Sequence, residues 1–284
     1  MCHIVVSGFF LYDEADGMNK PIHMTCFAIR LLKLEREVSM AILEVCVDSF
    51  ESAMAAVRGG ADRLELCDNL VIGGTTPSRQ LFREIRKYSN IPIHVLIRPR
   101  FGDFLYSDTE QEIMRQSVTE FHELGATAIV IGMLHADGSL DVNRMKELME
   151  LAPQCKVTLH RAFDVCRDPH EALIQAQELG VHTILTSGQQ NYCTDGVELL
   201  TELVSMSKDV EILIGSGVNA KVIQEIAPIT KATSFHMSGK KIMESAMSYR
   251  NPHVFMGLDG LSEYELWITD EQLIRDARKA IDAI

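Results

Sequence analysis

From Ile42 onward the chain repeats one alternation eight times: a short run rich in β-branched and aliphatic residues, then a stretch with helical spacing and polar ends. The runs are Ile42 to Val47, Arg63 to Cys67, Ile93 to Ile97, Ala128 to Ile131, Val157 to His160, Thr183 to Thr186, Glu211 to Ile214 and Thr233 to Met237. A helix between two strands carries the chain back to its starting side, so repeated βα units build a parallel sheet. Eight units predict a single α/β domain, a closed (β/α)8 barrel of the TIM type. The turn after the first run reads CVDSFES, where an open dinucleotide-binding sheet would carry GxGxxG, so no nucleotide cofactor is expected.

Helix starts carry capping residues: Asp48 with Glu51, Ser107 with Glu110, and Asp168 with Pro169 and Glu171. Helix ends fall near Gly59, Gly125 and Gly180. After the eighth run an irregular stretch is expected from Met247 to Ile268, then a C-terminal helix from Asp270 to Ala283, capped by Thr269 with Gln272. Trp267, the only tryptophan, is read as a packing anchor for this tail. The organisation expected is an N-terminal extension over residues 1–39 and a barrel over residues 40–284. Within the extension, the apolar pieces Ile4 to Tyr12 and Phe27 to Leu32 stop well short of the roughly 20 residues that span a bilayer. Met18, Met24 and Met40 are alternative starts, so the extension reads as upstream sequence or a loosely attached arm.

A formal net charge of -13 with no Lys/Arg run excludes nucleic acid and anionic membrane surfaces as partners and favours a small ligand. Seven cysteines, odd in number and scattered through apolar runs, read as free thiols in a reducing compartment, the cytoplasm. A homo-oligomer, dimer or tetramer, is expected.

Strand alternation assigns the faces. In the first run Leu43, Val45 and Val47 suit the helix-facing side, which turns Glu44, Cys46 and Asp48 toward the barrel axis. The second run repeats the arrangement: LELC places Arg63, Glu65 and Cys67 inward as LEVC places Glu44 and Cys46. On adjacent strands, about 4.8 Å apart, Cys46 and Cys67 can approach one soft metal ion, although two small buried core residues would look the same. His160 at the fifth run, and His236 with Ser238 at the eighth, also fall inward. Two histidines and two glutamates at one mouth are more polar than the branched-aliphatic layers of a structural barrel. Arg98 and Arg100 follow the third run, where guanidinium forks suit carboxylate or phosphate, or pair with Glu44 and Glu65. Ser187 and Gly188 follow the sixth run, and Gly215 and Gly217 flank Ser216 after the seventh. Such glycine turns can cradle a phosphate or serve only as tight turns.

The motifs EVCVDS (Glu44 to Ser49), GGADRLELC (Gly59 to Cys67), GGTTPS (Gly73 to Ser78), IRPRFGDFLYS (Ile97 to Ser107), HRAFD (His160 to Asp164) and TSG (Thr186 to Gly188) together resemble the CutC family over about residues 42–283. The resemblance implies a compact (β/α)8 fold, a role in copper homeostasis, and Cu(I) ligands at Cys46 and Cys67. A second expectation is kept beside it: an enzyme of unassigned reaction acting on a small anionic substrate. There Glu44, Glu65, His160 and Asp164 are the catalytic candidates, and Arg98, Arg100, Ser187, Gly188, Gly215, Gly217, His236 and Ser238 hold the substrate.

Overall fold

The computed structural model describes residues 4–7, 10–13, 41–254, 256–257 and 260–284. The chain forms two compact units, residues 1–40 and 41–284. In the first, β1 (Ile4–Ser7) and β2 (Phe10–Asp13) pair antiparallel. Cys2, Cys26, Met18, Met24 and the run from Phe27 to Leu32 lie outside the described residues.

The second unit alternates strand and helix throughout: β3 (Ile42–Val47), α1 (Phe50–Gly59), β4 (Arg63–Leu66), α2 (Arg79–Tyr88), β5 (Ile93–Leu96), α3 (Asp108–Glu123), β6 (Ala128–Ile131), α4 (Val142–Glu150), β7 (Lys156–Leu159), α5 (Pro169–Leu179), β8 (Thr183–Thr186), α6 (Val197–Met206), β9 (Glu211–Ile214), α7 (Ala220–Thr230) and β10 (Ser234–Met237). Neighbouring strands pair in parallel, and β10 joins both β9 and β3, so the sheet closes as the expected barrel.

Period-two alternation divides the buried residues into two layers. Leu43, Val45, Val47, Leu64, Leu66, Ile93 and Val95 face outward and pack with helix residues such as Phe82, Ile85 and Phe121. Each such side chain stabilises the fold by roughly 1.5–3 kcal/mol relative to an exposed one. Inside the barrel, Cys46, Cys67, Leu96 and Val130 form a separate small cluster. The helix layer is the continuous core, which leaves the inward positions free to carry polar groups.

Helix caps follow the sequence in part. Ser107 and Glu110 make the full capping box, and Asp168 accepts from the amides of His170 and Glu171 with Pro169 at the first turn. At α1 the cap is Ser49, which accepts from the amide of Ser52. Asp48 is not the cap, because its carboxylate accepts instead from the amide of Leu70. The left-handed C-cap of α1 is Gly60 (φ 96°). Gly59 is required for a different reason: a Cβ there would lie 2.6 Å from Cβ of Ile274.

Beyond β10 the expected irregular stretch is partly ordered. A hairpin of β11 (Lys240–Glu244) and β12 (Glu265–Thr269) brackets it. The C-terminal helix α8 (Glu271–Asp282) is capped by Asp270, which accepts from the amides of Gln272 and Leu273. Thr269, the residue expected in that role, instead donates its hydroxyl proton to the carbonyl of Ser238. Ile274, Ala277 and Ile281 are buried on α8, which packs against α1 and α7 and covers the wall beside the closing seam. Among the described residues no helix is long and apolar enough to cross a membrane.

Candidate functional site

A cavity of about 1090 Å³ opens at the C-terminal ends of the strands, lined in part by Cys46, Glu65, Arg98, His160, His236 and Ser238. A smaller hollow of about 430 Å³ on the outer wall is edged by ion-paired side chains such as Arg58, Glu271 and Arg275 and gathers no buried chemistry.

Strand register builds the floor of the large cavity. Cys46 stands opposite Glu65 across β3 and β4, and Glu44 opposite His236 across the β3–β10 seam. One ligand atom each from Cys46, Glu65 and His236 lie within 4.8 Å of one another. His236 Nδ1 is 2.8 Å from Glu44 Oε1, and its Nε2 is 3.8 Å from Glu65 Oε2. A carboxylate holding one ring nitrogen while the other faces a thiol is the arrangement that orients a metal-ligating histidine. The Cys67 thiol donates to Glu65 Oε2 at 3.4 Å. Beneath them Glu44 also accepts from Arg63 Nε at 2.6 Å and lies 3.3 Å from His94 Nδ1, while Arg63 reaches Glu211 at 3.2 Å.

These distances set the charges. Burial opposes ionisation of Glu44, but the Arg63 guanidinium, the bond from His236 and the nearby His94 ring outweigh it and hold the carboxyl well below its ordinary range. Glu65, buried without an arginine, is pushed upward by burial and by the Glu44 charge, with His236 opposing. Burial also raises the Cys67 thiol, and Glu65 and Cys46 raise it further. Burial works against a charged His236, yet Cys46, Glu44 and Glu65 together push its pKa well above the ordinary value. The floor is thus one Glu44 carboxylate shared by a guanidinium and two imidazoles, with a thiol–carboxyl–imidazole group above it.

Several sequence candidates sit elsewhere. Arg98 lines the cavity, but its Nη atoms donate to the carbonyls of Gly73, Gly74 and Gly102, so it pairs with neither Glu44 nor Glu65; Arg63 takes the Glu44 partnership. Arg100 is outside the cavity, bound to Glu110, Asp103 and nearby carbonyls. Asp164 is engaged by Arg161 and by the amides and hydroxyls of Thr186, Ser187 and Gln189, so it ties β7 and β8 loops together and does not face the cavity. Ser187 spends its hydroxyl on that tie, and Gly188 is needed because a Cβ would meet the Gly196 carbonyl at 2.5 Å. Gly215 likewise makes room for Leu185, whereas Ser216, Gly217 and Ser238 do border the cavity. Trp267 borders it too, with Lys240 Nζ 3.6 Å from its ring centroid, while its strand pairs it with Ile242 in the tail hairpin.

His94 is the site residue that the sequence reading missed. It stands between outward Ile93 and Val95, so the alternation that exposed Glu44 and Glu65 also marks it as inward.

The family model described as CutC family matches residues 41–241. Among the relatives, a family protein CutC from Bacteroides fragilis is 44% identical, covering 84% of this chain and 97% of its own length. The copper homeostasis protein cutC homolog of Homo sapiens is 41% identical, covering 82% of this chain and 86% of its own. The crystal structure of a candidate copper homeostasis protein CutC from Streptococcus agalactiae superposes with a TM-score of 0.67 at 31% identity, covering 70% of this chain and 99% of that one. With that family model spanning most of the barrel and these relatives aligned along it, the chain belongs to the CutC family.

Proposed function

We propose that this chain acts in copper homeostasis by taking up Cu(I) at the C-terminal mouth of its barrel, with Cys46 and Cys67 as thiolate ligands and His236 as a nitrogen donor beside them. The observation that carries the reading is the convergence of Cys46, Glu65 and His236 ligand atoms within 4.8 Å, with the Cys67 thiol on the same Glu65 carboxylate. Cu(I) is soft and takes thiolate and imidazole in preference to carboxylate, so the sulfur and nitrogen atoms suit it and Glu65 does not need to bind it. Glu65 instead accepts the Cys67 thiol proton, which must leave when the thiolate forms, and His236, held protonated by its acidic neighbours, must likewise give up its Nε2 proton to bind the ion while Nδ1–H stays on Glu44. The names of the human and Streptococcus agalactiae relatives support the role in copper homeostasis.

The test is a Cu(I) titration of the reduced protein against a chromogenic Cu(I) chelator. One ion per chain is expected, with affinity lowered strongly by Cys46→Ser and by Cys67→Ser, since each exchanges a soft donor for a hard one. Wild-type affinity in the double variant would remove the ligand assignment.

A further inference from the structure

Two arginines are buried among the described residues, and they are treated differently. Arg63, 8% exposed, is paired with Glu44 and Glu211. Arg98, 7% exposed, donates to the neutral carbonyls of Gly73, Gly74 and Gly102 and lies against the Phe104 ring, and among the described residues no carboxylate pairs with it. Carbonyl dipoles orient a guanidinium without cancelling its charge, and an uncompensated buried charge is costly until an anion joins it.

His160 stands beside it with the complementary need. Its Nδ1 accepts from the amide of Ala162 at 3.1 Å, which puts the ring proton on Nε2, and Nε2 is buried with no partner. Burial, assisted by the Arg98 charge, pushes its pKa down to about 3, so the ring is neutral near pH 7 and Nε2–H is an unused donor. The two groups flank one aromatic ring: the His160 and Phe104 centroids are 4.8 Å apart, and the Arg98 guanidinium carbon is 5.1 Å from the Phe104 centroid. All three residues line the cavity.

We propose that this corner of the cavity binds a small organic monocarboxylate, one oxygen accepting from His160 Nε2–H, the charge balanced by Arg98, and the carbon skeleton lying against Phe104, Leu96 and Leu70. The site is additional to copper uptake and independent of it. Its size fits an organic ligand: about 1090 Å³ matches the upper end of small-molecule pockets, roughly 300–1,000 Å³, where a metal ion alone needs a single atom's space. Its charge fits a monoanion. Glu65 and Asp48 border the same cavity, and its other cations are engaged, Arg161 by Asp164, Lys221 by Glu225 and Lys240 over the Trp267 ring, so a phosphate approaching two negative charges would face two carboxyl groups with the Arg98 guanidinium as the one uncommitted counter-charge among the described residues.

The metal-free, reduced, full-length protein is titrated with benzoate, 2-oxobutyrate and glycolate, with inorganic phosphate as the comparison. Trp267, the only tryptophan, borders the cavity and reports binding by its emission, and a thermal-shift assay checks it. Arg98 also ties three loop carbonyls, so its replacement risks the fold, and His160 carries the test. At least one carboxylate saturates the signal and raises the melting midpoint; His160→Phe weakens it by about tenfold or more, the worth of a hydrogen bond to a charged group. His160→Gln, whose amide N–H stands in for Nε2–H, stays within about threefold. Failure of all three to saturate by millimolar concentrations, wild-type affinity in His160→Phe, or equal competition by phosphate each overturns the proposal.

Discussion

Replacing His160 by phenylalanine removes a proton-binding site that the folded barrel refuses to use, and the effect on acid stability can be worked out. The imidazole has an ordinary pKa of 6.5, and burial lowers it to about 3 in the fold. Between those values the unfolded chain binds a proton that the native chain does not, so stability falls as pH drops through 6.5 and stops falling from this source near 3. At about 1.36 kcal/mol per pH unit, His160 withdraws about 1.4 kcal/mol by pH 5.5 and about 2.7 kcal/mol by pH 4.5, relative to pH 7.5. The phenylalanine ring fills the same contact with Gly132, where the imidazole packs so closely that a Cβ would lie 2.5 Å away. It cannot accept from the Ala162 amide, so the variant starts about 1–3 kcal/mol less stable at pH 7.5. Equilibrium urea unfolding of both proteins at pH 7.5, 5.5 and 4.5 reads the difference directly. The gap between them is expected to shrink with acid and close or reverse by pH 4.5. Parallel profiles would mean that His160 is protonated as freely in the fold as in the unfolded chain, and that burial does not lower its pKa.

Glu44→Gln keeps the shape of the cavity floor and removes the charge shared by Arg63, His94 and His236. Breaking a buried pair in this way costs about 3–5 kcal/mol, reduced here because Glu211 still faces Arg63, and copper affinity is expected to fall about 10–100-fold as His236 loses its orienting partner. Denaturant midpoints and the Cu(I) titration check both; a stability loss under about 1 kcal/mol would show that Glu44 is not ionised. A chain starting at Met40 is expected to melt at an unchanged midpoint, since β3–β10 close their sheet among themselves, and calorimetry of the shortened chain tests it.

What sequence alone could reach follows from where the backbone is regular. Within β3, β4 and β10 each residue's face is dictated by its neighbours, so Glu44, Cys46, Glu65 and His236 could be turned inward from the positions of Leu43, Val45, Leu64 and Phe235. Past a strand end the period of two no longer binds the chain. Arg98, just beyond β5, still points to the cavity, but Arg100 lies in the following turn and swings out to Glu110. Asp164 fails for the same cause: it sits in a 3-10 turn, where it serves the β8 loop. Tertiary competition accounts for the caps. Asp48 and Thr269 are good capping residues by type, yet Leu70 and Ser238 claim their side chains, and Ser49 and Asp270 take the helix ends. The hairpin of β11 and β12 carries no turn signal at its ends because a long connection separates its strands.

The Glu44–His236 contact joins residues 192 apart in sequence and lies across the seam where the last strand of the barrel meets the first. Parallel strands tolerate sliding, and a slip of one residue turns every side chain to the opposite face. At this seam such a slip would send Glu44 into the hydrocarbon layer beneath α1 and strip Arg63, His94 and His236 of their counter-charge at once. The wrong closure is therefore penalised by several buried charges together, while the right one satisfies them all. The same acid that holds the His236 ring acts as a key for the ring's register, so substitutions there that spare the proposed metal donors still bear on whether the barrel shuts in the correct frame.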